Sequence, residues 1–374
     1  MLPRDVTPQW ARSWLFDSAF PLWWATGADP NGGFHEKIGM DGRPVAAARR
    51  VRVQTRQIYA FAEAGRLGWQ GPWQAAVAHG LDFLLRAYRR PDGLFRRLAA
   101  ADGTPLDDTV DIYEQAFVLL ALAHAFDIQG RPDPLRSIAT DLLTQMRATL
   151  AHPLGGFEEA SPRVLPLRSN PHMHLLEATL AWVSLGAGDP FAAVANDIVS
   201  LALQRLIDPR TGAVGEYYDG DWAFAPGPDG GTREPGHQFE WAYLMRQAEL
   251  LLGRDTRQAA ERLMVFGSTC GIDHARQVAV FALDPQGAVT DPTARLWAQT
   301  ERLRTALVFG GAEGGPWARD LAESLAATAR YLDTPVPGLW RDRLLADDTF
   351  VEEPAPASSL YHIVSAFSAL LRTS

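Results

Sequence analysis

Residues 31–36 read "NGGFHE", a tight glycine turn with an aromatic and a carboxylate behind it. The motif returns as "DGLFRR" at 92–97, "LGGFEE" at 154–159, "GAVGEYYDG" at 212–220 and "GLWRDR" at 338–343. Gly33, Gly93, Gly156 and Gly215 follow one another at nearly equal steps. The step from Gly215 to Gly338 is twice as long, so a degraded fifth loop is expected near "DHARQVAVFALDPQG". Six units of about 62 residues fill the 374-residue chain. Between the loops, stretches such as 53–68, 111–128, 174–186, 239–253 and 295–309 space apolar residues three and four apart, and several end at glycine. Each unit is long enough for two helices and a loop. The expected fold is all-α: an (α/α)6 barrel of six helical hairpins, with short loops or β-hairpins at the active-site face. A closed ring is favoured over an open solenoid because it leaves no end unit with an exposed apolar face. One catalytic domain spanning 1–374 is expected.

Hydrophobic residues make up 47% of the chain, enough for a large core. The balance of 35 basic against 44 acidic residues gives a charge of −9 and no basic run, so neither nucleic acid nor an anionic membrane is an expected partner. A single cysteine, Cys270, allows no internal disulfide and no cysteine-based zinc site. That fits a reducing, cytoplasmic setting. The opening "MLPRDVTPQWARSWLF" does not read as a signal peptide, and no uncharged apolar run suits a membrane span. The twelve tryptophans could fill core or stack on sugar rings.

The repeat predicts which side chains face the barrel's centre. Arg56, Gln115, His174, His237, Glu301 and His362 follow one another at close to the same period as the loops. Ionisable groups at an inward phase point to a shared polar cavity. Glu177 and Glu240 each stand three residues after a histidine, on the same helical face, and are expected to tune it. His172 and His174 lie two apart, about 200° round a helix, so they cannot chelate together; His174 is taken as inward and His172 is left near the rim. Tyr113, Trp297 and Trp340 are the expected aromatic contacts to substrate. Arg49, Arg50 and Arg52 are expected to turn mostly away, leaving no basic cluster for a phosphate or sulfonate. A His-Glu-x-x-His zinc pattern, a phosphate-binding glycine loop and a Gly-x-Ser-x-Gly elbow are missing, so neither metal nor cofactor is expected.

Histidines, carboxylates and one arginine suit enolisation beside a carbonyl. One group removes the carbon-bound proton, and Arg56 stabilises the oxygen on which charge builds. A sugar would give an enediol, and from it a ketose or the 2-epimer. Glycoside hydrolysis by Glu240 and Glu301, or sugar binding without turnover, are the competing readings.

Together, "NGGFHE", "RVRVQTRQIYAFAEAGRLGW", "SNPHMHLLEA", "EPGHQFEWAYLM", "LWAQTER" and "YHIVSAF" resemble the N-acylglucosamine 2-epimerase superfamily over nearly the whole chain. The wording is most similar to its mannose isomerase branch. The resemblance implies metal-independent aldose–ketose isomerisation of the mannose/fructose type, with 2-epimerisation as the alternative, by a monomer or homodimer acting on a monosaccharide. It places the catalytic arginine at Arg56, the acid/base pair at His237 and His362, and Glu240 beside them. His174, Gln115, Glu177 and Glu301 are expected to bind substrate.

Overall fold

The computed structural model describes residues 6–310 and 315–373. Six inner helices run in the same direction: Val51–Arg66, Ile112–Ile128, Ser169–Ser184, Pro235–Leu252, Leu296–Val308 and Leu360–Arg372. Each packs on its neighbours in chain order, and the sixth packs on the first, so the ring is closed. The outer helices include Asp133–Leu150, Arg257–Cys270 and Ala318–Leu332. The other three outer rods pass from α-helix into a wider π-helical turn: Pro8–Ser13 into Trp14–Ala19, Trp73–Phe83 into Leu84–Tyr88, and Phe191–Leu201 into Ala202–Leu206. This is the expected (α/α)6 barrel.

Burial explains the sequence pattern of each layer. The outer helix Asp133–Leu150 buries Leu135, Ala139, Leu142, Leu143, Met146 and Leu150, one stripe at three- and four-residue spacing. The inner helix Ile112–Ile128 buries nearly its whole circumference, because outer helices cover one side and ring neighbours the others. Its apolar residues therefore run almost without a break.

At the helices' N-terminal end a belt of short antiparallel pairings joins each unit to the next. Leu98–Ala99 pairs with Arg49–Arg50, Ala160–Ser161 with Val110–Asp111, and Tyr217–Tyr218 with Leu167–Arg168. Leu283 bridges to Arg233, and Arg343–Leu344 pairs with Ala294–Arg295. Lys37–Ile38 of the first loop pairs with Ala355–Pro356 ahead of the last helix, closing the belt.

One side chain per inner helix clamps each of the first five loops. Gln54 accepts from the Phe34 N–H at 2.7 Å and donates to its carbonyl at 2.9 Å. Gln115 does the same for Phe95, Gln238 for Val214 and Gln299 for Ala279. In the third unit His172 Nε2 accepts from the Phe157 N–H at 3.0 Å, while Nδ1 bonds the Arg168 carbonyl at 2.9 Å. Two corrections follow. Gln115 is a fully buried loop clamp, not a substrate contact. His172 is equally buried, so it does not sit at the rim. Burial lowers its pKa to about 4, so it is neutral, as an acceptor at Nε2 must be. The degraded fifth loop lies at Gly271–Phe281, where Gln277, with φ 62°, takes the left-handed conformation that Gly33, Gly93 and Gly338 supply elsewhere.

A candidate active site at the helix N-termini

The N-termini of the inner helices surround a cavity of about 520 Å³. The residues two beyond each clamp stand at the level of its floor: Arg56, Phe117, His174, Glu240 and Glu301, with His362 in the sixth unit. The step is short from Phe117 to His174 and long from His174 to Glu240, which corrects the expected phase in units two and four. Arg56, His174, Glu240 and His362 line the cavity, joined one turn nearer the mouth by His237, Tyr113 and Trp297.

His237 and His362 sit in opposite electrostatic settings. His237 Nδ1 lies 2.8 Å from Glu216 and 3.6 Å from Glu234. Burial opposes its charge, but Glu216 and Glu234 outweigh burial and lift its pKa to about 10. It is an imidazolium at neutral pH. His362 is pulled well below the ordinary histidine range by burial, and then by Arg56 and Arg304. Its Nδ1 lies 2.7 Å from Glu301. With the proton assigned to Nδ1, facing that carboxylate, Nε2 carries the free lone pair. One side of the cavity therefore offers a proton and the other accepts one.

Arg56 has no carboxylate partner among the described residues. Nη2 donates to the Tyr113 hydroxyl at 2.9 Å, and the guanidinium lies 4.2 Å from the centre of the Phe117 ring. Glu240 is buried, and neither of its oxygens is hydrogen-bonded among the described residues. Burial and then Glu301 push its pKa well above the usual carboxylate range. The expected His237–Glu240 pairing is not formed; Glu240 lies nearer His174, at 3.7 Å. Trp297 stands 4.8 Å from the His237 ring and 6.0 Å from the His362 ring. Gly236 makes room for it, because a Cβ there would meet the indole at 2.4 Å.

A buried layer below the floor holds the histidines in place. Arg304 forms an ion pair with Glu301 at 2.6 Å, approaches Glu177 at 3.4 Å and Glu240 at 3.7 Å, and donates to the Ser365 hydroxyl at 2.6 Å. Glu177 lies 3.3 Å from His174 Nδ1 and accepts from the Tyr361 hydroxyl. Burial works against the Glu177 charge, but His174 and Arg304 prevail and hold its pKa at about 2. Glu177 and Glu301 therefore act on histidines rather than on the cavity, which corrects their expected role as substrate contacts. Trp340 is corrected too: it is fully buried, stacked on Trp23 at 4.7 Å.

The arginines also depart from expectation. Arg49 is buried against Asp29, but Arg50 and Arg52 face the cavity, with Arg97, Arg168 and Arg295 from other units. Sequence reasoning also missed Glu216 and Arg304. The signal for Glu216 was present in the loops, where Glu36, Glu159, Glu216 and Asp342 all stand two beyond the clamped residue or its equivalent. Three groups, His174–Glu177–Glu240, Glu216–Glu234–His237 and Glu240–Glu301–His362, gather donor atoms within 4.8 Å and so could hold a cation. In each, the histidine is already paired with a carboxylate.

The sequence pattern of the N-acylglucosamine 2-epimerase family matches residues 32–366. A protein of Rhizobium meliloti named mannose-6-phosphate isomerase is 46% identical over 369 residues, covering 94% of each chain. A D-mannose isomerase of Marinomonas mediterranea is 27% identical, covering 78% of this chain and 77% of that one. The crystal structure of a D-mannose isomerase superposes on all of both chains with a TM-score of 0.88 at 20% identity, a likeness of fold. The chain belongs to the N-acylglucosamine 2-epimerase family.

Proposed function

We propose that the whole chain is one catalytic unit that interconverts an aldose and a ketose of the mannose/fructose type through a cis-enediol. The observation that carries this reading is the pair His237 and His362, one held charged and one held neutral, facing one cavity beside an arginine with no carboxylate partner among the described residues. His362 Nε2 removes the proton from C2 of the open-chain sugar. Negative charge builds on O1, and Arg56 stabilises it. His237 then protonates O1 and takes up the proton of the O2 hydroxyl, and as the C2 carbonyl forms the imidazolium of His362, whose proton exchanges with solvent, protonates C1. As the sugar opens, His237 gives a proton to the ring oxygen and takes up the one the anomeric hydroxyl releases; both transfers reverse when the product closes. Glu301 and Arg304 fix the tautomer of His362, and Glu216 keeps His237 charged. Tyr113 and Trp297 shape the walls against the sugar.

Two-base epimerisation at C2 is the alternative, with His237 protonating the opposite face. The sequence relatives named as isomerases favour the ketose. Incubating the protein with mannose in EDTA, and following the products by NMR, decides between them. The proposal expects fructose to form at a rate EDTA does not change. Glucose as the sole product would replace isomerisation by epimerisation. Loss of turnover in EDTA, restored by a divalent ion, would overturn the metal-free mechanism.

A further inference from the structure

We infer, on the isomerase reading above, that Arg50, Arg52 and Arg97 form a subsite for a phosphate ester at the end of the sugar remote from C1 and C2. The inverted charges of unit two point to it. In units one, three and six the loop carboxylates Glu36, Glu159 and Asp342 each pair with an arginine that leads into an inner helix: Arg50 at 2.6 Å, Arg168 at 2.7 Å and Arg295 at 2.7 Å. Glu36 and Glu159 also accept the backbone N–H of their arginine. These pairs fasten loop to helix.

Unit two inverts the pattern. Arg97 stands where the acids stand, and Asp111 stands in the arginine's place. The Arg97 carbonyl still does the common backbone work, accepting the Val51 N–H at 3.1 Å as the Glu159 carbonyl accepts that of Ile112 at 3.0 Å. The guanidinium is not needed for that contact. Its nearest carboxylate among the described residues, Asp107, is 3.8 Å away, and the side chain is 47% exposed and lines the cavity. Loop closure leaves this charge unexplained.

Its neighbours complete a cationic wall. Arg50 pairs across the strand with Leu98, beside Arg97, and holds Glu36 through Nε and Nη2 alone. Arg52, two residues on, holds Glu114 through Nη1 at 2.7 Å and also faces the cavity. The same position carries Tyr113, Asn170, Trp297 and Ser358 in other units, so its charge belongs to this wall alone. The free edges of planar guanidinium groups match the oxygens of a phosphate. The N-terminus of the sixteen-residue helix Val51–Arg66 adds partial positive charge. Arg50 precedes Arg56 by six residues, about 9 Å at 1.5 Å of helix rise per residue. An open hexose chain with C1 and C2 at Arg56 and His362 would carry O6 towards this wall.

The test compares kcat/KM for mannose and mannose 6-phosphate in the wild-type protein, Arg97→Ala and Arg97→Lys, with inorganic phosphate titrated calorimetrically into each. The wild type is expected to prefer the phosphate ester at least tenfold, and to lose preference as salt rises. Arg97→Ala should cut the preference about ten- to a hundredfold, mainly through KM, the cost of one or two charge-assisted hydrogen bonds. Arg97→Lys should restore part of it, and phosphate binding should weaken in parallel. The subsite is wrong if wild type uses mannose as well as its phosphate ester, or if Arg97→Ala lowers both substrates equally. Should neither sugar turn over, the isomerase reading falls, and the phosphate titrations still decide the subsite: wild type and Arg97→Ala binding phosphate alike would refute it.

Discussion

At the scale of single residues, the chemistry depends on how each histidine is held. The account makes Glu216 the source of charge on His237. A histidine raised to about 10 stays protonated below that pH and loses its proton above it. Activity that needs the imidazolium should therefore persist into the alkaline range and fall as pH approaches 10. The acid limb, set by a His362 that stays neutral well below 6.5, should lie in the acid range. Glu216→Gln removes the stronger partner and should move the alkaline limb of kcat to lower pH, with KM little changed; an unmoved limb would mean that Glu216 does not set this titration. Gly236→Ala should push Trp297 into the sugar site and raise KM several-fold, since a Cβ has 2.4 Å where contact needs more. Arg56 and His362 were legible because the repeat and the family wording converge on them; His237 and Glu240 were legible from the family wording and their three-residue spacing, although the repeat phase slipped in that unit. Glu216 and Arg304 were not. Glu216 reaches His237 from a loop 21 residues away, and Arg304 sits below the floor among carboxylates that were themselves read as facing substrate.

At the scale of elements, the loop clamps decide whether the cavity keeps its shape. Gln115→Ala would leave the Phe95 N–H and carbonyl buried without partners. The expected cost is about 2 kcal/mol, read as a lower midpoint in urea. Substrate preference should not change, because Gln115 does not reach the cavity; a changed preference at unchanged stability would return it to the substrate site. The clamps also show why the predicted phase slipped. Helix and loop lengths differ between units, so the floor positions on either side of His174, at Phe117 and Glu240, do not keep a constant period. A ruler of fixed length landed on the clamp in unit two and on the residue before the clamp in unit four. The helices themselves were readable from three- and four-residue spacing. The short strands were not, since two-residue pairings leave no alternating pattern.

At the scale of the whole molecule, ring closure makes the site. Its groups come from all six inner helices, and the first loop pairs with the segment ahead of the last helix. A chain ending before Leu360 would lose His362 and uncover the flanks of the first and fifth inner helices. It should show no cooperative thermal transition and should bind a hydrophobic dye; a transition near that of the full chain would mean that five hairpins suffice. The closed barrel was legible because six near-equal units allow few other solutions, whereas the arginines of the cavity wall come together only through strand pairing between units. The central claim is that His362 moves the C2 proton through an enediol, and its most direct test is sugar conversion in D2O by wild type and His362→Asn. The account predicts ketose carrying solvent deuterium at C1 from the wild type, and no ketose above background from a folded His362→Asn. Ketose free of solvent deuterium together with an undiminished rate in His362→Asn would contradict it.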